Sequence, residues 1–176
     1  MTTSLAFCVA DQIECATRTF FYAISHEVPM PRDTSTGSQY EEIVRLCVQR
    51  VCTAQGFTAK SQQTIGAKPG GGNHRVDYVL VNNADSTKKG LISCKFQQTS
   101  GTAEEKIAYE VIKLLHAMEN NPEYRHSWIV LGGDGWSPGM KNFVTKELVK
   151  WIPEMRTKIN ILNTDQIMQE TFGIIR

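Results

Sequence analysis

The spacing of apolar positions changes several times along the chain, and each change marks an element. Over residues 4–26, Phe7, Ile13, Cys15, Phe20, Phe21 and Ile24 recur at helical spacing with no Gly or Pro, which predicts a helix. Pro29, Pro31, Asp33, Ser35, Gly37 and Ser38 then interrupt the pattern and form the chain's one good linker. The expected division is an N-terminal helical arm over residues 1–36 and a core over 37–176. The core opens with a predicted helix over 38–54. Ser38 is its N-cap, Glu41 and Glu42 fill its acidic first turn, Val44, Cys47, Val48 and Val51 form its apolar stripe, and Gly56 stops it.

Strand patterns follow. Residues 57–65 read as a strand broken by Gly66, and Lys68-Pro69-Gly70-Gly71-Gly72-Asn73 as a turn. Residues 75–82 alternate, with Val76, Tyr78 and Leu80 on one side and Arg75, Asp77, Val79 and Val81 on the other. After the turn 82–85, residues 90–98 form another strand. A long helix runs from Thr102 to about Glu119 behind a capping box, Thr102-x-x-Glu105, with Ala103, Ile107, Val111, Leu114 and Met118 as its stripe. A strand over 126–131, the turn Gly132-Gly133-Asp134-Gly135, a helix over 139–151 and a last strand over 158–162 complete the core. The order is α, β, β, β, α, β, α, β. Short turns make the first three strands an antiparallel meander, and helical crossovers make the later pairings parallel. The fold class expected is therefore α/β, a mixed central sheet flanked by helices.

Composition narrows the function classes. Hydrophobic residues make up 41% and charged residues 21% of the 176, so bulk disorder is excluded. No apolar run approaches the roughly 20 residues of a membrane span. The five cysteines, Cys8, Cys15, Cys47, Cys52 and Cys94, form no CxxC pair and suggest neither a zinc site nor a disulfide framework. Residues 4–10 resemble a short signal core, but no basic residue precedes them; an intracellular, reducing location is expected. The net charge of +1 argues against a generic polyanion binder but leaves room for a local basic groove.

Candidate chemistry lies in two strands. Asp77 sits between apolar neighbours, where a carboxylate is expensive to bury. The next strand carries Ser93, Lys95 and Gln97 on one face and Ile92, Cys94 and Phe96 on the other. A carboxylate and a lysine on adjacent strands offset each other's desolvation. They also form the basis of a hydrolytic centre in which the carboxylate holds Mg²⁺ and the lysine assists water and a pentavalent phosphate.

This arrangement resembles the PD-(D/E)XK nuclease superfamily, with its restriction-endonuclease-like fold, over about residues 38–165. Asp77 matches the first motif acid, with Val76 in place of the usual Pro. Ser93-Cys94-Lys95 matches the (D/E)-x-K tripeptide, Gln97 a frequent glutamine two residues on, and Tyr40-Glu41 the aromatic-Glu start of the first core helix. The resemblance implies a Mg²⁺-dependent endodeoxyribonuclease acting on double-stranded DNA. A type II restriction endonuclease, or the cleavage subunit of one, fits best. So short a chain implies that sequence recognition comes from loops, a homodimer or a separate subunit. A structure-selective repair, junction-resolving or homing nuclease is the alternative, as is a non-catalytic member that binds nucleic acid or protein.

Ser93 departs from the pattern, because it removes the second acid. In some restriction enzymes of the superfamily a serine stands there and the following helix supplies the acid. Glu110, fifteen positions after Lys95 and at the edge of its helix's buried face, has close to that spacing. Glu105 competes with it but has a simpler role in the capping box, and Glu41 from the first helix can join Asp77 and Glu110 as a metal ligand; an i, i+4 pair with Lys106 is Glu110's plain structural alternative. Lys68, His74 and Arg75 at the glycine-rich turn, together with Lys88 and Lys89, are the candidate phosphate contacts, or else solvated charge. Cys94, His116 and His126 read as core or surface residues, and Asp134 as a turn residue.

Overall fold

The computed structural model describes residues 35–99 and 104–175. The expected arm helix over 4–26, Cys8, Cys15 and the Thr102 and Ala103 positions lie outside the described residues.

Helix α1 (Ser35–Gln55) is followed by β1 (Phe57–Ala67), β2 (Asn73–Asn82), β3 (Lys89–Phe96), α2 (Lys106–Asn120) and β4 (Tyr124–Gly132). Next come α3 (Pro138–Asn142), a π-helical turn (Phe143–Glu147), α4 (Leu148–Trp151), α5 (Met155–Lys158), β5 (Ile159–Asn163), α6 (Thr164–Gln169) and a 3₁₀ turn (Phe172–Ile175). The five strands form one sheet in the order β1-β2-β3-β4-β5. β1, β2 and β3 pair antiparallel, while β3–β4 and β4–β5 pair parallel. The mixed sheet and its connections match the expectation.

Two apolar layers cover the sheet. On one face Val44, Val48 and Cys52 of α1 pack with Leu80, Ile92, Trp128 and Phe172. On the other, Val111, Leu114 and Met118 of α2 pack with Val79, Leu91, Ile129 and Leu148. Each aliphatic side chain buried in these layers contributes about 1.5–3 kcal/mol. Cys47, Cys52 and Cys94 are buried free thiols. Burial pushes Cys52 up to about 12, so this thiol stays neutral.

Local chemistry accounts for the departures from the expected elements. The helix expected over 139–151 begins at Pro138, with the Ser137 hydroxyl accepting from the Met140 N–H, and contains a π turn. The capping box expected of Thr102 and Glu105 lies partly outside the described residues; α2 starts at Lys106, with Glu105 at its N-cap and no side-chain cap bond. A capping box forms instead at Asn163 and Gln166, starting α6, a helix the apolar pattern did not reveal. Among the described residues no helix is long and apolar enough to cross a membrane.

Candidate active site

The site begins with an irregularity shared by β1 and β2. In β1, Phe57 and Ala59 face the α1 layer, yet Ile65, of the same parity, faces the α2 layer. In β2, Tyr78 and Leu80 face α1 while Val76 faces α2. Strict alternation forbids both, so each strand turns over once. The expected grouping of Val76 with Tyr78 and Leu80 is thereby corrected. Pairing runs through Ser61–Tyr78 and Gln63–Val76 and skips the rung between them, where Gln62 and Asp77 stand opposite each other. Gln62 has φ 52°, the only left-handed non-glycine residue among those described.

Strand β3 also parts from β2 at this level, since their pairing ends at Tyr78–Ile92. The Asp77 carboxylate takes over from the lost ladder: its Oδ2 accepts the Cys94 N–H at 2.7 Å. Oδ1 lies 3.4 Å from the Gln62 amide nitrogen, which lies equally far from Glu41 Oε2. The Tyr78 hydroxyl fixes Glu41's turn of α1 by donating to the Glu41 carbonyl at 2.8 Å. Burial, and then the nearby Asp77, raise the Glu41 carboxyl above its ordinary pKa, against the opposing pull of Lys95 and Arg75. Helix α1 and strand β2 therefore bring two carboxylates to one place, with two cations in electrostatic range.

Lys95 is held from the other side. Its ammonium donates to Ser93 Oγ at 2.6 Å and to the Cys94 carbonyl at 3.2 Å, and lies 3.5 Å from Glu110. The Ser93 hydroxyl donates onward to Glu110 at 2.9 Å. Lys113 donates to the other Glu110 oxygen at 2.6 Å. The i, i+4 pairing with Lys106 is thus corrected: the helical partner is Lys113, one turn on rather than one turn back. Burial alone would push Glu110 up, but His74, Lys95 and Lys113 outweigh it and hold its carboxyl far below the ordinary carboxylate range.

His74 is corrected as an exposed phosphate contact. It is 2% exposed, with Nε2 3.9 Å from Glu110. Gln97 lies beyond the end of β3, where its amide donates to the Gly135 carbonyl instead of extending the Ser93–Lys95 face. Lys88 and Lys89 pair with Asp85 and Glu123 at the opposite end of β3, about 20 Å from Lys95 at strand rise. They do not flank the site. Arg75 and Lys68 are exposed near it in sequence and strand order, and the Tyr109 hydroxyl ties the glycine-rich turn to α2 through the Pro69 carbonyl. His126 is buried against Trp128, and Asp134 is exposed in its turn. A groove of about 610 Å³ opens beside Asp134, Lys141, Lys146 and Asp165, but includes none of Glu41, Asp77, Lys95 and Glu110.

The residues missed from sequence are Gln62, Lys113 and Tyr78. Lys113 carried a signal, the i, i+3 offset from Glu110. Gln62 and Tyr78 carried none, because a left-handed glutamine and a tyrosine bonding to a helix carbonyl both depend on tertiary structure.

A family description of the PD-(D/E)XK nuclease superfamily domain matches residues 36–175. The chain belongs to the PD-(D/E)XK nuclease superfamily. No curated protein matches it. PD-(D/E)XK nucleases generally depend on divalent metal, so the donor set bears directly on the site. Among the described residues no three of His, Cys, Asp and Glu gather as metal ligands. Mg²⁺, however, is commonly held by one or two carboxylates together with water and substrate phosphate. Asp77 Oδ1 and the Glu41 carboxylate fit that role: they are hard oxygens of like charge, close enough for Asp77 to raise the Glu41 pKa. Glu110 is differently placed, because both its oxygens already accept from Ser93 and Lys113.

Proposed function

We propose that the protein is a Mg²⁺-dependent endodeoxyribonuclease that hydrolyses phosphodiester bonds in double-stranded DNA. The observation that carries this reading is the convergence of Glu41, Asp77 and Lys95 where β2 and β3 separate. A divalent cation held by Asp77 and Glu41 would supply Lewis-acid polarisation of the phosphate and of an attacking water. Lys95 places a positive donor beside that pair. It orients the water by hydrogen bonding and stabilises the charge that builds on the phosphoryl oxygens. Glu110 acts through Ser93: the relay Lys95–Ser93–Glu110 fixes the ammonium's direction, and Lys113 balances the buried acid. Ser93 therefore serves as the relay's middle atom where the motif usually has an acid. Arg75 and Lys68, both exposed, would contribute phosphate contacts.

Within this class, the Ser-x-Lys variant and the small core fit a type II restriction endonuclease or its cleavage subunit, with sequence recognition from a homodimer or a separate chain. Residues 1–36 are the natural candidate for that contact. Incubation with supercoiled plasmid and Mg²⁺ tests the reading. Wild type should cut, and Asp77→Ala and Lys95→Ala should each lose at least a hundredfold in rate. Intact plasmid with wild type, alone and with candidate partner chains, would overturn it. Discrete fragments point to a restriction enzyme, a single nick to a cleavage subunit, and cleavage of branched DNA alone to a junction-selective enzyme.

A further inference from the structure

Gln62 has a costly backbone for its residue type. The left-handed region is uncommon for non-glycine residues and costs about 1–2 kcal/mol. Glycine is the usual solution there, and the chain uses glycine at left-handed positions elsewhere in the same hairpin, at Gly66, Gly70, Gly71 and Gly72. At residue 62 it keeps a glutamine. The backbone at that rung turns β1 over, and β2 turns over opposite it at Asp77. The side chain carried by this turn reaches both acids, with its amide nitrogen 3.4 Å from Asp77 Oδ1 and 3.4 Å from Glu41 Oε2. Those contacts place the two carboxylates no more than twice that distance apart. They come from different elements and have no direct link to each other.

We propose that Gln62 is the positioning residue of the cation site: its amide spans Glu41 and Asp77 and holds both carboxylates at the separation that receives the metal. The inference rests on the reading of Glu41 and Asp77 as the cation's ligands. Two like charges held near each other repel, and an N–H donor shared between them offsets part of that repulsion before the cation arrives. Both contacts are longer than the usual 2.9–3.0 Å of a strong bond, so the amide orients the two carboxylates and leaves their oxygens with capacity for the cation. Groups that hydrogen-bond to metal-ligating carboxylates characteristically set affinity by ten- to a hundredfold when removed. The left-handed backbone turns the amide toward the two acids on a stretch of strand whose residues 60–62 are exposed.

Glutamine-to-glycine substitution separates side chain from backbone, because glycine adopts the left-handed conformation freely but has no amide. Mn²⁺ alone is titrated calorimetrically into wild type, Gln62→Gly and Asp77→Asn, with thermal unfolding in EDTA as the folding control. Gln62→Gly should unfold within about 3 °C of wild type yet bind Mn²⁺ roughly tenfold more weakly. Asp77→Asn should abolish binding. If Gln62→Gly binds Mn²⁺ as tightly as wild type, the backbone alone matters, and if it binds more tightly, the amide competes with the cation; either result overturns the proposal and leaves the Glu41–Asp77 site standing. If wild type binds no Mn²⁺, the site itself fails and the role of Gln62 fails with it.

Discussion

The substitution Glu110→Gln tests the buried relay most directly. It keeps the shape and an acceptor for the Ser93 hydroxyl but removes the charge that Lys113 and Lys95 approach at 2.6 and 3.5 Å. Removing one partner of a buried ion pair costs about 3–5 kcal/mol. The Lys95 and Lys113 side chains are 24% and 18% exposed and can turn partly to water, so the cost falls somewhat below that range, at about 2–3 kcal/mol. At about 4 °C per kcal/mol for a core of this size, Tm should fall by roughly 10 °C. The pH dependence fixes the cause. Because folding lowers the Glu110 pKa, the stabilisation is fully present above the unfolded glutamate value near 4.3 and is lost as pH falls from there toward the folded value. Urea unfolding of wild type and Glu110→Gln should therefore differ by about 2–3 kcal/mol at pH 7, and the two should converge below pH 4. A gap that stays constant down to pH 3 would show that Glu110 acts through packing and refute the argument. A double-mutant cycle with Lys113→Met should return a coupling of at least about 1 kcal/mol.

Two further outcomes follow from other parts of the site. Gly132→Ala should destabilise by about 1–3 kcal/mol, because a Cβ there would run into the Tyr40 ring that precedes Glu41; urea titration checks this, and Tyr40→Leu in the same chain should recover part of the loss. Glu41→Gln should bind duplex DNA at least as tightly as wild type in EDTA, since it removes a negative charge beside Asp77, and should lose the gain that wild type shows when Ca²⁺ is added; fluorescence anisotropy at fixed salt reads both.

The fold was legible in the sequence because its elements obey local rules. The alternation of 75–82, the period of the stripe Ile107, Val111, Leu114 and Met118, and the short turns of the meander gave the succession of elements and the antiparallel sense of the first pairings without long-range information. Asp77 and Lys95 stood out for the opposite reason, as charges where an apolar strand should have none, but each is satisfied by a different partner, Asp77 by the Cys94 N–H and Lys95 by Ser93 and Glu110. The same alternation gave a wrong face for Val76, and it did so at the rung where Asp77 sits. It also carried Gln97 onto the face of Lys95, although the strand ends at Phe96 and Gln97 turns to Gly135. His74 looked like a turn residue because it follows three glycines; burial under α2 is a tertiary fact that no neighbouring residue announces.

The wrong face for Val76 has its cause at the same rung. A regular two-stranded ladder would bury Asp77 or expose it, but would not aim it along the sheet toward the next strand. Turning β1 and β2 over at one rung, with the register unchanged, frees Asp77 from alternation and lets its carboxylate take the place of a missing backbone acceptor for Cys94. The cost is a left-handed glutamine and an unpaired rung. Each compensation is local: Cys94 N–H satisfies one carboxylate oxygen, Gln62 faces the other, and Tyr78 pins the helix that brings Glu41. The net charge of +1 takes its meaning from this arrangement. Acids and bases are sorted into two sets that nearly cancel, Glu110 among Lys95, Lys113 and His74, and Glu41 with Asp77 within reach of Lys95 and Arg75. A near-neutral total is thus compatible with the polyanionic substrate proposed above, because basic side chains can gather at one cleft whatever the total, and a cation held by Glu41 and Asp77 would add to their charge.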